Sequence, residues 1–397
     1  MKICIISKYP PIEGGVSSGI YWLAKGLGEL EHEIFVVSNC WEVEDEYREV
    51  IEEDELSNLE PKNVHLFSTN IDKKIRFIPY FNPYDAKLSS LSIDVIKKHN
   101  PDIIFSDYLL PYGVSGLIVK QATKKPLIVK HAGSDITRLF SSEFLRTLFI
   151  EIFRNADIII TNKKNGDMLS NFGIEYNKFC SLLKVINPKE FNPHIKPFDL
   201  SKYKNLGDLP IFTYFGKFER MKKIFSLIDA AANINEDFIL LLITEGGKKT
   251  EIIEKILKDR NLEKKAIVLP FQPPCKIPSI LTSSTCIVFP ESYETPFLPA
   301  GTHFPIKIKE AMLCGKCTII GEGVYKKYKE INNQIQDGVN KIVVNPDNTN
   351  ELAEKMINVI KNPDVAYKMG GAAEKIISVD FEKYIESFID ICNKIIV

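Results

Sequence analysis

The sequence places its most reactive side chains in short loops that follow apolar runs. The stretch Phe304-Pro305-Ile306-Lys307-Ile308-Lys309-Glu310-Ala311-Met312-Leu313-Cys314-Gly315-Lys316 leads into the apolar Thr318-Ile319-Ile320. Pro305 pre-sets a helix start, Ile308, Ala311 and Met312 follow helical spacing, and Gly315 stops the helix before a strand. A helix N-terminus gathers unpaired N–H groups and the positive end of the peptide dipole, so an anion can sit there, with Lys307 or Lys309 adding charge. Glu310, one turn in, can accept hydrogen bonds from a sugar hydroxyl. A second stretch, Gly216-Lys217-Phe218-Glu219-Arg220-Met221-Lys222-Lys223, follows an apolar strand directly. Gly216 leaves room for a ligand, and Lys217 and Lys222 can converge on a diphosphate.

Further strand ends carry polar groups. Glu245-Gly246-Gly247 ends the next apolar run in the same sense, and Pro270-Phe271-Gln272-Pro273-Pro274 ends the one after, where Phe271 can wall a base-binding slot. In the first half, Gly14-Gly15 lets the backbone approach a ligand and opens a helix. The glycines are adjacent in a long loop, so this is not the G-x-G-x-x-G dinucleotide fingerprint. Asp107-Tyr108-Leu109-Leu110-Pro111-Tyr112-Gly113 and His131-Ala132-Gly133-Ser134-Asp135 each follow a strand. His131 can donate to a substrate hydroxyl. Asp135 can orient it, but capping a helix from Ile136 is the ordinary role for such a residue.

These loops need elements to hold them. Apolar runs at Ile3 to Ser7, Glu33 to Ser38, Asn63 to Phe67, Ile103 to Ser106, Leu127 to Lys130 and Asp157 to Thr161 alternate with helical stretches such as Ser17 to Leu30. The pattern predicts a parallel sheet covered on both faces, with ligands at the carboxyl ends of its strands. After the irregular, Pro- and Lys-rich residues 187–206, read as a linker, the alternation restarts. Strands are expected over Pro210 to Phe215, Phe238 to Thr244, Ala266 to Leu269 and Cys286 to Phe289, and helices over Ile224 to Ala232 and Thr250 to Asp259. Two α/β domains are therefore expected, at 1–195 and 196–375, and residues 376–397 form a terminal helix with Tyr384, Phe388, Ile391 and Ile395 at helical spacing.

Bulk composition agrees. A chain of 397 residues with 45% hydrophobic content exceeds what one core usually carries. A net charge of -1 gives no sign of a nucleic-acid partner. The apolar start is too short for a signal peptide, no run is long enough for a membrane span, and the eight scattered cysteines suit reduced thiols, so a cytoplasmic protein is expected. Cys314 and Cys317 form a C-x-x-C with no second pair at metal-ligand spacing, and no metal is expected. Residues Arg138 to Arg154 read as one helix, in which Phe144, Leu148 and Ile152 flanked by Arg146 and Arg154 serve a core or a peripheral contact with the cytoplasmic face of a membrane.

Taken together, Gly216-Lys217 with Lys222, Glu245-Gly246-Gly247, Pro290 to Glu294 and the helix from Pro305 resemble the GT-B glycosyltransferases of the large retaining family four, over essentially the whole chain. The resemblance implies an α/β GT-B fold, two Rossmann-like doubly wound domains facing a central cleft, the last helix crossing back to the first. It implies that Lys217 and Lys222 bind the donor diphosphate and Glu310 the nucleotide ribose. Ile306, Lys307, Phe271, Gly246, Thr302 and His303 then belong to the donor site, and Gly14, Gly15, Tyr108 and Asp135 to the acceptor side. His131 and Glu294 join the lysines in catalysis. Two departures stand out: Thr302 occupies the place of the family's usual first Glu, with Glu294 earlier in a longer loop, and Ala132 separates His131 from Gly133.

The implied reaction is metal-independent hexosyl transfer with retention, from a nucleotide-diphosphate sugar to a hydroxyl of a sugar, a lipid-linked sugar or a small alcohol, with no cofactor. An epimerase of the same fold using Glu294 and His131, or a non-catalytic nucleotide-sugar binder, are the alternatives.

Overall fold

Strands buried on both faces need continuous aliphatic and β-branched runs, and helices that cover them need one apolar stripe. The chain supplies both, twice. The computed structural model describes residues 1–71, 83–204, 207–219, 222–291, 305–329, 334–377 and 380–396. Unit 1 comprises Met1–Glu44, Ile51–Val185 and Asp380–Val397, and unit 2 comprises Asp45–Val50 and Ile186–Val379.

Unit 1 runs β1 (Lys2–Ser7), α1 (Gly15–Glu29), β2 (Glu33–Ser38), β3 (Val64–Ser68), α2 (Tyr84–His99), β4 (Ile103–Asp107), α3 (Val114–Thr123), β5 (Leu127–Lys130), α4 (Glu143–Asn155), β6 (Ile158–Ile160), α5 (Lys163–Ser170) and β7 (Phe179–Cys180). Its described strands pair in parallel in the order β3-β2-β1-β4-β5-β6-β7. From Ile3 to Ile6 the interior strand β1 is fully buried, as a strand covered on both faces must be.

The single helix expected over Arg138 to Arg154 is interrupted. A wide turn at Asp135–Leu139 ends with Phe140 N–H bonded to Asp135 O, Ser142 is extended, and α4 starts at Glu143. Arg146 holds the freed carbonyls of Phe140 and Ser141 at 3.1 and 3.0 Å, while Phe140 itself is buried, its ring 5.2 Å from that of Phe172. On α4, Phe149, Ile152 and Phe153 are buried, whereas Phe144 stands exposed. No described helix is long and apolar enough to cross a membrane.

Unit 2 runs β8 (Ile211–Phe215), α6 (Ile224–Ala232), β9 (Ile239–Thr244), α7 (Lys248–Asp259), β10 (Ala266–Pro270), α8 (Ile277–Ser283), β11 (Cys286–Phe289), α9 (Ile306–Leu313), β12 (Cys317–Gly321), α10 (Glu322–Lys329), β13 (Ile342–Val344), α11 (Thr349–Lys361) and α12 (Pro363–Lys375). The sheet order is β10-β9-β8-β11-β12-β13, again with parallel pairing. The final helix, α13 (Phe381–Asn393), packs within unit 1, its Phe388 ring 5.1 Å from that of Phe105.

The Pro-rich stretch after Ile186 is folded onto unit 2. Phe191 and Leu200 are buried, and Phe198 N–H donates to Ser279 O at 2.9 Å. Cys314 and Cys317 are buried free thiols, and Cys317 lies in register with Cys286 on the next strand.

The helix α9 ends as its sequence demands. Gly315 takes φ +65°, its N–H bonds to Met312 O, and Lys316 N–H reaches back to Ala311 O, the paired closure that needs a left-handed residue. The turn is tight enough that α12 approaches through a glycine: a Cβ on Gly370 would lie 2.1 Å from the Gly315 carbonyl oxygen. A Cβ on the next residue, Gly371, would meet nothing within 4 Å among the described residues. Gly370→Ala is therefore expected to destabilise unit 2 by roughly 2 kcal/mol or more, through forced separation of two packed elements. Gly371→Ala should be neutral or stabilising by up to about 1 kcal/mol. Thermal melts of the two variants check this; equal effects would contradict the packing described.

Candidate active site

In an open parallel sheet, ligands bind outside the carboxyl ends of the strands where the order reverses. In unit 2 that point lies between β8 and β11. The loop after β8 is anchored from several sides. Gly216 N–H bonds to Ile243 O at 3.1 Å, and Tyr214 donates its hydroxyl to Lys217 O at 2.9 Å. The buried carboxylate of Glu245 accepts from Phe218 N–H at 2.5 Å and from the Thr244 hydroxyl at 2.7 Å. A side chain at Gly216 would press on Tyr214, its Cβ 2.9 Å from the hydroxyl oxygen, so glycine keeps this anchor intact.

Three of the lysines singled out in the sequence are tied to this reversal point. Lys217 follows the last residue of β8 by two positions. Lys222 forms an ion pair of 2.7 Å with Glu291, which sits two residues past β11 and is buried. Lys307, in the first turn of α9, lies with its Nζ 4.1 Å from the ring centroid of Phe215. The α9 N-terminus is led by Pro305, and Glu310, one turn in, is buried. Lys309 is partly buried, which depresses its pKa.

Other expected donor residues are placed differently. The Phe271 ring is buried and its carbonyl accepts Val50 N–H at 2.8 Å, so the ring packs inside unit 2 instead of walling an open slot. Gly246 is buried, with Asp45 O 3.5 Å from where its Cβ would lie. Ile306 opens α9 and is half-buried. Glu294, Thr302 and His303 lie outside the described residues. Glu291 falls in the stretch Pro290 to Glu294 that carries the family resemblance but is not singled out there; its local signal is an acid just beyond an apolar strand.

The corresponding point in unit 1 lies between β1 and β4. Lys8, just after β1, holds its Nζ 4.2 Å from the ring centroid of Tyr108, just after β4. Tyr108 has φ +83°, and its hydroxyl lies 3.2 Å from Ser134 Oγ. Gly14 leads α1 with φ +131°, and an added Cβ on it or on Gly15 would meet no atom of the described residues within 4 Å.

His131 faces inward to its own unit. Its Nδ1 lies 3.2 Å from Ala132 O and its Nε2 2.8 Å from Thr161 Oγ1, so Nδ1–H donates to the carbonyl and Nε2 accepts from the threonine. Burial pushes its pKa down to about 4, which keeps the ring neutral.

Asp135 does not cap the following turn. Its Oδ2 accepts Ala132 N–H at 2.7 Å and Leu109 N–H at 3.2 Å, clamping the loop after β5 to the loop after β4. Asp107 is paired with Lys130. One carboxylate oxygen on each of Asp107 and Asp135 is buried with no hydrogen-bond partner among the described residues. Among those residues no cluster of three or more metal-ligating side chains occurs.

Comparison with known proteins places this geometry. A family model described as Glycosyl transferases group 1 matches residues 196–376, and one described as Glycosyltransferase Family 4 matches residues 13–173. An uncharacterized glycosyltransferase of Methanocaldococcus jannaschii is 26% identical over 372 residues, covering 93% of this chain and 91% of the relative. The N-acetyl-alpha-D-glucosaminyl L-malate synthase of Bacillus anthracis is 23% identical, covering 98% of this chain and 96% of that protein. Among solved structures, HepE of Anabaena in complex with UDP-glucose superposes with a TM-score of 0.68 at 15% identity, covering 99% of this chain and 100% of that one. Sucrose-phosphate synthase of Thermosynechococcus elongatus gives 0.67 at 17% identity, covering 99% and 98%. The architecture is the α/β two-domain GT-B fold.

The Asp135 carboxyl is raised to about 6, chiefly by burial, with its two N–H donors opposing and Asp107 adding to the rise. A carboxyl raised on folding favours the folded state below its unfolded value near 3.8, and that contribution is lost as the pH rises through about 6. Asp135→Asn keeps an oxygen for both N–H groups and carries no charge. It should therefore stabilise the protein by roughly 2 kcal/mol near neutral pH, with the gain shrinking towards pH 4. Melting curves across this range test the sign; a loss of stability independent of pH would contradict it.

Proposed function

We propose that this chain, which belongs to the group 1, family 4 glycosyltransferases, transfers a hexosyl group from a nucleotide-diphosphate sugar to a hydroxyl acceptor, with retention of configuration and without a metal ion. The observation that carries the reading is the arrangement of Lys217, Lys222 and Lys307 around the carboxyl ends of β8 and β11. Negative charge develops on the leaving diphosphate as the glycosidic bond breaks. Fixed cations and a helix N-terminus aimed there stabilise that charge more in the transition state than in the bound donor. Glu310, on the same helix as Lys307, takes the ribose hydroxyls. The complex of HepE with UDP-glucose supports a nucleotide sugar as the donor.

Lys222 and Glu291 act together in this scheme. In the absence of donor the ion pair joins the half-buried Lys222 to the buried Glu291. An arriving diphosphate competes for the lysine, which shares its three donors between the two anions. On the acceptor side, Gly14 and Gly15 leave the backbone exposed to the incoming alcohol, and Tyr108, with the loop that Asp135 clamps, shapes its seat. The acceptor hydroxyl attacks on the face the diphosphate leaves, and the departing phosphate oxygen takes its proton. His131, neutral and engaged at both ring nitrogens by Ala132 and Thr161, supports the loop after β5 and carries no charge.

The expected result in an assay with UDP-, GDP- and ADP-sugars and an alcohol acceptor is release of the nucleoside diphosphate and a glycoside of the donor's anomeric configuration, read by proton NMR, with turnover intact in a metal chelator. Lys217→Ala and Lys222→Ala should each lower turnover by about 100-fold or more, with circular dichroism unchanged. Near-normal rates in both variants, an epimerised nucleotide sugar, or an inverted product would each overturn the reading.

A further inference from the structure

We infer that Tyr47 is a positioning residue for the donor site, carried on a strap, Asp45–Val50, that leaves its sequence neighbours in unit 1 and folds as part of unit 2. The inference rests on the donor-binding role of Lys217 proposed above. The strap comes from the long connection between β2 and β3, far in sequence from every other residue of unit 2. Along its length it meets the end of three adjacent strands of that unit. Tyr47 lies over the loop after β8, with Lys217 Nζ 5.3 Å from its ring centroid. Asp45 O stands 3.5 Å from the Cβ position of Gly246, after β9. Val50 N–H donates to the carbonyl of Phe271, after β10, at 2.8 Å. The strap thus runs along the carboxyl edge of the sheet, the edge at which such folds bind ligands.

A ring does for Lys217 what a carboxylate would not. Lysine has four rotatable methylene links and loses freedom when its ammonium is held in one place. The face of an aromatic ring attracts the ammonium through its quadrupole without cancelling its charge. Lys222 is held by the charge of Glu291. The Tyr47 ring thus orients the Lys217 ammonium from the strap, while Lys222 stands in an ion pair that the donor must share. Tyr47 is 39% exposed, so its replacement leaves no cavity in the core.

The test is calorimetric titration with UDP, GDP and ADP, using whichever binds the unaltered protein most tightly, on Tyr47→Phe, Tyr47→Ala and Tyr47→Glu beside Lys217→Ala. Phe retains the ring face and should bind within about twofold of the unaltered protein. Ala should weaken binding about threefold to fivefold. Glu, which ties Lys217 in an ion pair, should weaken it about tenfold or more, and raising the salt concentration should narrow the gap between Glu and Ala. All three variants should keep the melting temperature and the donor-independent circular dichroism. Equal affinities in Phe, Ala and Glu, with Lys217→Ala still impaired, would overturn the role of Tyr47 and leave the donor site standing. Tighter binding in Ala would overturn it too, showing that the strap competes with the nucleotide. Unchanged binding in Lys217→Ala would instead remove the donor-site reading on which the inference depends.

Discussion

Everything at the proposed donor site depends on one topological constraint, the parallel pairing of β8 with β11 in a sheet whose order reverses between them. Elsewhere in such a sheet, successive crossovers cover each strand end with the start of the next helix. At the reversal, the loops after the two strands turn to opposite faces and leave a crevice. The chain has filled the rim of that crevice with cations. Lys217 is on one loop, the Glu291 partner of Lys222 is on the other, and Lys307 comes from the helix that follows. Unit 1 repeats the arrangement between β1 and β4, where Lys8 lies against Tyr108. There Asp107 pairs with Lys130, and Asp135 accepts the backbone N–H groups of Leu109 and Ala132.

The energetic problem at such a rim is to hold flexible cations ready for an anion without neutralising them permanently. The Tyr47 ring lies against Lys217 and the Phe215 ring against Lys307, and the buried carboxylate of Glu291 pairs with Lys222. Backbone anchoring does the rest. Tyr214 and Glu245 fix the loop of Lys217 by its carbonyl and by the following N–H, so that this loop is pre-organised before any ligand arrives. Pre-organised charge is what accelerates departure of a diphosphate, because no reorganisation remains to be done in the transition state.

Much of this was legible in the sequence, for local reasons. β11 and α6 span the residues that apolar patterning assigns to them, since a buried strand and a one-sided helix leave clear periodicities. The family was legible from glycines, lysines and Glu310 at strand and helix ends, each set by its immediate neighbours. What could not be read depended on contacts across the chain. Tyr47 carries no local sign that it joins a loop some 170 residues away in sequence. Asp135 looks like a helix cap, and only the fold shows Leu109 N–H and Ala132 N–H arriving at its carboxylate. The interruption before α4 was hidden because Phe140 and Phe144 both suit a helical stripe, yet one is buried against Phe172 and the other points to solvent.

On this reading the crevice between β8 and β11 is built for a diphosphate. The most direct measurement is the affinity of the unaltered protein for a nucleoside, its monophosphate and its diphosphate, compared by calorimetry at one ionic strength. The diphosphate is expected to bind at least about tenfold more tightly than the monophosphate, through charge-assisted hydrogen bonds to fixed cations, and this preference should fall as salt is raised. Equal affinities for all three, insensitive to salt, would contradict it.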